Sequence, residues 1–198
     1  MEDVGPRLYL TAEADRMTAE ALADALAGGD VACLLLRAAD PSSAPLVRQA
    51  QAAGVAVLVP DSAEVLRQLG ADGVHLGPGG ETAALRRALG EDPILGVACG
   101  ASRHTALEAG EAGADYVAFH GRDGRPGAAA DPALLDWWQT MTTLPCVAMG
   151  EIALGEVHAL AAAGADFVAL DNAVWRHPDG PGAAVAEANR QLDRVQRL

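Results

Sequence analysis

Positive charge is what this sequence most lacks. Its 14 basic residues stand against 27 acidic ones, a net charge of −13. Such a surface repels a nucleic-acid backbone and the anionic face of a membrane, so neither is an expected partner. Cysteine is scarce as well. Cys33, Cys99 and Cys146 are odd in number, widely spaced and free of any CxxC pair, which argues against a disulfide framework or a zinc site and for a reduced, cytoplasmic setting. No run approaches the roughly 18 apolar residues of a membrane span. Met1 to Pro6 carries acids where a secretory leader would carry a basic stretch and then an apolar one.

What is present is a repeated phrase. Gly70-Ala71-Asp72-Gly73-Val74, Gly113-Ala114-Asp115-Tyr116-Val117 and Gly164-Ala165-Asp166-Phe167-Val168 each follow a helical run, and Gly28-Gly29-Asp30-Val31 is a weaker copy. From Gly28 the copies recur after 42, 43 and 51 residues, about two strand-helix units each time, so they open every second strand of one repeating fold. Short apolar runs read as buried parallel strands at Arg7 to Leu10, Val31 to Leu36, Val55 to Val59, Gly73 to Leu76, Ile94 to Ala98, Tyr116 to Phe119, Cys146 to Met149 and Phe167 to Leu170. Eight stretches of helical composition alternate with them, the last running from Ala183 to Arg197. Strict alternation, eight times in 198 residues that are 51% hydrophobic, predicts an α/β protein: a single small (β/α)8 TIM barrel forming one domain over residues 1–198.

In such a barrel the Gly-Ala-Asp phrases are helix-to-strand turns. Glycine takes the left-handed conformation that ends a helix, and the aspartate precedes the strand with a structural role. Chemistry belongs at the opposite, carboxyl ends of the strands. In order these read Thr11, Arg37, Asp61, His75 with Gly77, Cys99 with Gly100, His120 with Arg122, Gly150 with Glu151, and Asp171 with Asn172. Arg37 ends an apolar strand and suits either an anionic or planar ligand or a salt bridge to Asp61 or Asp171. Asp61 could hold a metal or cap the helix that begins near Ser62. His75 reads as a hydrogen-bonded core histidine or a ligand contact. His120 opens a glycine-rich loop with the character of a substrate lid. Carboxylates and imidazoles at these ends, Asp61, His75, His120, Glu151 and Asp171, also leave a divalent transition metal open.

Leu8-Tyr9-Leu10-Thr11, the octapeptide from Gly70 to Gly77, Ile94-Leu95-Gly96-Val97, the heptapeptide from Gly113 to Phe119, Val147-Ala148-Met149-Gly150 and the decapeptide from Gly164 to Ala173 together resemble the thiamine phosphate synthase and TenI-type thiazole tautomerase superfamily over nearly the whole chain. In the synthases a pyrimidine diphosphate loses pyrophosphate on Mg²⁺ and a thiazole phosphate captures the cation, which demands cationic anchors and phosphate cradles. The resemblance implies such anchors at strand two, where the family's Gln, Arg and Lys read Leu35, Arg37 and Ala39. Its Asn-Asp-Arg reads Pro60-Asp61-Ser62, its second metal aspartate falls at Gly80, its Thr-x-Thr-Lys loop is absent after His120, and its phosphate-binding Gly-Gly and Val-Ser read Gly150-Glu151 and Leu170-Asp171.

These departures predict that ordinary synthase activity is lost and that Asp61 alone makes a poor Mg²⁺ site. The expectation is a diverged member acting in or near thiamine biosynthesis on a small heterocyclic ligand by tautomerase-like chemistry. His120 would be the acid-base and Glu151 or Asp171 its partner, with Arg37, His75, Gly150 and Asn172 contacting the ligand. A non-catalytic ligand- or partner-binding barrel and a synthase with rearranged anchors are the alternatives, and a homodimer is the assembly allowed for.

Overall fold

The computed structural model describes residues 5–195. Most of the acidic amino terminus, Met1 to Val4, lies outside these residues, and the last helix, expected to reach Arg197, ends already at Leu192. Eight parallel strands close a barrel in chain order: β1 Arg7–Glu13, β2 Cys33–Arg37, β3 Ala56–Pro60, β4 Gly73–Leu76, β5 Ile94–Gly100, β6 Tyr116–Phe119, β7 Cys146–Ala148 and β8 Phe167–Leu170. The first strand pairs with the eighth, Arg7 opposite Phe167 through Leu10 opposite Leu170. Around them run α1 Ala19–Ala27, α2 Ala44–Ala52, α3 Ala63–Leu69, α4 Thr82–Leu89, α5 Arg103–Glu111, α6 Pro132–Met141, α7 Val157–Ala162, α8 Asn172–Trp175 and α9 Pro181–Leu192. The predicted barrel is present. The element absent from the sequence reading is α8, a single turn immediately after β8. No helix among the described residues is long and apolar enough to cross a membrane.

The helices begin where a side chain can satisfy a free amide. Thr18 accepts from Ala21 N at 3.1 Å, Ser62 from Val65 N at 3.2 Å, Ser102 from Thr105 N at 3.1 Å and Asp131 from Ala133 N at 2.9 Å. Two cores result. One lies between sheet and helices and includes Leu8, Leu34, Val57, Leu95, Phe119 and Trp138. The other fills the barrel interior with Tyr9, Cys33, Leu58, Tyr116, Val147 and Ala169. Both faces of the strands are therefore buried, which is why they read as nearly unbroken apolar runs.

The repeated aspartates close the amino-terminal end of the barrel by a two-point clamp. Asp72 donates its amide to the Val57 carbonyl at 2.8 Å, and its carboxylate accepts from Val57 N at 2.7 Å. Asp115 does the same to Leu95 at 2.8 and 2.7 Å, and Asp166 to Cys146 at 3.0 and 2.8 Å. Each clamp ties an even-numbered strand to the strand before it. The preceding glycines 70, 113 and 164 all have positive φ, 64°, 92° and 108°, the left-handed region that lets the helix end and the aspartate turn inward. The weaker copy differs in chemistry: Asp30 binds the Arg7 guanidinium of β1 through both carboxylate oxygens at 2.8 Å.

Asp115→Ala leaves the buried Leu95 amide without its acceptor and should lower unfolding free energy by about 1–3 kcal/mol, read from urea denaturation. Asp115→Asn, which keeps an acceptor oxygen, should recover most of that loss. Equal stability of the alanine variant and the parent would show that the clamp is dispensable.

Candidate active site at the carboxyl ends of the strands

Alternate residues of each strand point into the barrel, so the interior is layered. The lowest polar layer is a neutral hydrogen-bonded chain: Tyr9 Oη lies 3.0 Å from Tyr116 Oη, which lies 2.8 Å from His75 Nδ1. The His75 and Tyr116 rings stack with centroids 5.8 Å apart. Burial lowers the His75 pKa to about 4, with Asp61 opposing and His120 adding to the shift, and burial likewise raises both tyrosines well above their ordinary value. Gly96 makes this chain possible. A Cβ there would stand 1.9 Å from Tyr116 Cζ, inside the ring itself.

Above this layer a cavity of about 850 Å³ opens at the barrel mouth, and Arg37, Asp61, His75, His120, Glu151 and Asp171 all line it. Gly150 and Asn172 border it as well. Arg37 is held on both sides, Nε to Glu13 Oε1 at 2.7 Å and Nη2 to Asp171 Oδ2 at 2.6 Å. Burial disfavours its charge, but the bonds and attraction to Asp171 and Glu13 outweigh that and raise its pKa. Of the two readings of Arg37, the salt bridge is the one formed, with Asp171 and not Asp61.

Three expectations change in the structure. Ser62, not Asp61, caps α3. Asp61 takes a left-handed φ of 55°, which turns its carboxylate to accept the Gly77 amide at 2.6 Å. The loop opened by His120 is tied down on itself and on the end of β7, with Gly121 N donating to Ala128 O at 2.7 Å and Glu151 N to Gly127 O at 2.6 Å. The lid character expected of it is not what this bonding gives. Finally, the described residues contain no group of three His, Cys, Asp or Glu side chains placed to hold a metal ion. A single carboxylate already engaged by an amide does not suit Mg²⁺ either, which takes near-octahedral oxygen ligands.

The backbone and cationic groups near the mouth are largely engaged within the protein. Gly150 has φ 109°, and a Cβ there would meet Ala128 O at 2.2 Å, so its role is to let the 121–131 loop approach the backbone. The following amide, on Glu151, is taken by the Gly127 carbonyl. The sequence contains no lysine at all. Arg122 sits on Glu156 at 3.7 Å. Asn172, the first residue of α8, is exposed on the rim. The structure thus brings His120, Glu151 and Asp171 to one cavity, but no hydrogen bond joins His120 to either acid among the described residues. What the sequence reading missed is Tyr116 with Tyr9. The signal was available, because Tyr116 lies four residues before His120 and shares its face of β6.

Two consequences can be measured. Gly96→Ala must displace Tyr116 and should cost about 1–3 kcal/mol in urea denaturation, with loss of the Tyr116–His75 contact. Because His75 titrates near 4 folded and near 6.5 unfolded, the unfolded chain binds the extra proton between those values, and stability falls as pH drops through that window. At pH 5 the loss is up to about 2 kcal/mol relative to pH 7. His75→Gln should flatten that part of the pH-stability curve, and an unchanged slope would show that His75 does not set it.

The comparisons with known proteins follow the fold and extend it. A family model described as thiamine monophosphate synthase matches residues 8–174. A thiamine-phosphate synthase of Rhodospirillum centenum is 44% identical over 189 residues, spanning 88% of this chain and 90% of that protein. One of Hyphomonas neptunium is 45% identical over 192 residues, spanning 89% and 87%. Among solved structures, a thiamine phosphate pyrophosphorylase from Pyrococcus furiosus has a TM-score of 0.82 at 24% identity, covering 96% of this chain and 97% of that one, which speaks for the fold. With the family model spanning most of the barrel and both relatives covering nearly nine-tenths of the chain, this protein belongs to the thiamine monophosphate synthase family.

Proposed function

We propose that the barrel takes a small heterocyclic compound of thiamine biosynthesis into its mouth and moves a proton on it, with His120 as the acid-base group. The observation that carries this reading is the state of the cations. Arg37 is paired on both sides, lysine is absent, and the Glu151 amide is occupied. Four carboxylates, Asp61, Glu151, Glu156 and Asp171, line the cavity against that one guanidinium. Each unpaired carboxylate about 5 Å from a phosphate opposes it by roughly 3 kcal/mol per unit charge at an effective dielectric near 20. A neutral or cationic ring is the ligand that this mouth favours.

The chemistry asked of the site is an isomerisation. A base removes a proton from one position of the ring system and returns it to another, with no leaving group and no co-reactant. Imidazole suits both halves because it exchanges protons near neutral pH. In this reading the Glu151 carboxylate, exposed on the rim, orients or relays the proton, and Asp171 holds Arg37 as a wall against the ring. His75 contacts the ring through Nε2, since Nδ1 is engaged by Tyr116. Gly150 and Asn172 complete the contact surface.

A second reading has its own support. The relatives at 44% and 45% identity carry the name thiamine-phosphate synthase, and Arg37 and Asp61 stand at two of the family's anchor positions. In that reading Arg37 would exchange Asp171 for a diphosphate.

One experiment separates the two. Deuterium uptake into an uncharged alkylthiazole and into its phosphate is followed by NMR with the parent and His120→Gln, beside a thermal-shift series with the same two compounds and with pyrimidine diphosphate plus Mg²⁺. The expected result is exchange that falls by about 10²-fold or more in His120→Gln while the ligand-induced shift persists. Formation of thiamine phosphate from the two substrates would overturn the proposal in favour of synthase chemistry. No exchange with any ring would leave a binding barrel.

A further inference from the structure

A second cavity, of about 380 Å³, lies beside the mouth and shares the wall formed by Arg37, Asp171 and Asn172. We infer that it is an anion-binding site for a phosphate group, built on Arg16 and Arg176. The two arginines reach it from opposite ends of the chain. Arg16 closes the one-turn 3₁₀ helix that follows β1, and Arg176 follows α8. What joins these segments is the Trp175 indole, whose N–H donates to the Thr11 carbonyl at 2.6 Å and holds α8 against β1. The one-turn helix α8 thereby delivers a guanidinium to the side of the mouth.

The charges in this cavity run against the acidic balance of the chain as a whole. Its two carboxylates are Glu13 and Asp171, and both are already held by Arg37. The guanidinium groups of Arg16 and Arg176 make no hydrogen bond, ion pair or ring contact among the described residues. Three guanidinia against two carboxylates leave a net positive charge in a chain that carries −13 overall. Two exposed like charges facing one concavity repel each other until an anion lies between them, and planar guanidinia match the oxygens of a phosphate in pairs. Trp175 and Met17 supply an apolar wall for whatever carries the phosphate. The volume is ample for that group and for a small body attached to it.

The site stands apart from the proton chemistry proposed for His120, and it also relieves a conflict there. A phosphorylated compound repelled by the carboxylates of the mouth meets a complementary charge one wall away. Arg37 is the common element, since it faces both cavities.

The probe is inorganic phosphate at constant ionic strength, with chloride as the reference, measured by isothermal titration and by thermal shift. Binding in the millimolar range or tighter is expected. Arg16→Gln and Arg176→Gln should each weaken it about tenfold, the factor for one charge-assisted hydrogen bond, and the double variant should abolish it. Both residues are exposed, and circular dichroism confirms that the variants are folded. A second basic groove, lined by His158, Arg190 and Arg194, supplies the competing source, so Arg190→Gln with Arg194→Gln is run in parallel and should bind phosphate as the parent does. Absence of phosphate binding by the parent, parental affinity in the Arg16 and Arg176 double variant, or loss that follows Arg190 and Arg194 instead would each overturn the proposal.

Discussion

The clamp between an aspartate and the strand before it is the constraint on which the rest of the molecule depends. At Asp72, Asp115 and Asp166 one residue both donates to and accepts from a single residue of its neighbour, so the register of three strand pairs is set at their first rungs. Side chains alternate with a period of two, and a slip by one residue would turn every interior group outward. Counting from each clamp shows what that register delivers. One residue on are Gly73, Tyr116 and Phe167. Three on are His75, Ala118 and Ala169. Five on, at the mouth, are Gly77, His120 and Asp171.

Polarity therefore rises along the barrel in layers, and the layers depend on one another. The tyrosines and His75 form a neutral chain because they are buried, and that chain fits only because β5 offers Gly96 opposite Tyr116. Above it the charged groups begin. Arg37 spans from Glu13 to Asp171 and so joins the ends of β1, β2 and β8 into a wall. On one side of that wall the carboxylates dominate, and on the other the unpaired guanidinia do. A pair that would add little stability on an open surface here divides two cavities of opposite character.

Much of this was legible in the sequence, and the exceptions have physical causes. Eight apolar runs and their spacing are enough for a barrel, because strands buried on both faces leave an unmistakable composition. The positions facing the mouth follow from counting in twos. Partners across the barrel do not, since choosing Asp171 over Asp61 for Arg37 requires the closed geometry that brings β8 against β1. In the sequence Asp61 suits a metal or a helix cap, as aspartate after a strand ordinarily does, and only its left-handed backbone turns it instead to Gly77. The one-turn helix α8 escaped notice because four residues carry no periodicity. Tyr116 was visible as part of a family phrase but not as a hydrogen-bonding neighbour of His75, whose strand it never touches in sequence.

The clamps and the mouth are also separated in space, and that separation explains how the family scaffold can keep its fold while its chemistry drifts. Five residues of strand amount to about 16 Å, and substitutions farther apart than about 7–10 Å with no shared partner act nearly independently on stability. A substitution at Glu151 or Asp171 therefore leaves the Asp115 and Asp166 clamps on their strands. The effect of such a change stays local to the charge of the mouth, where Arg37 pairs with Asp171. A barrel held at its amino-terminal end is free to be rewritten at the other.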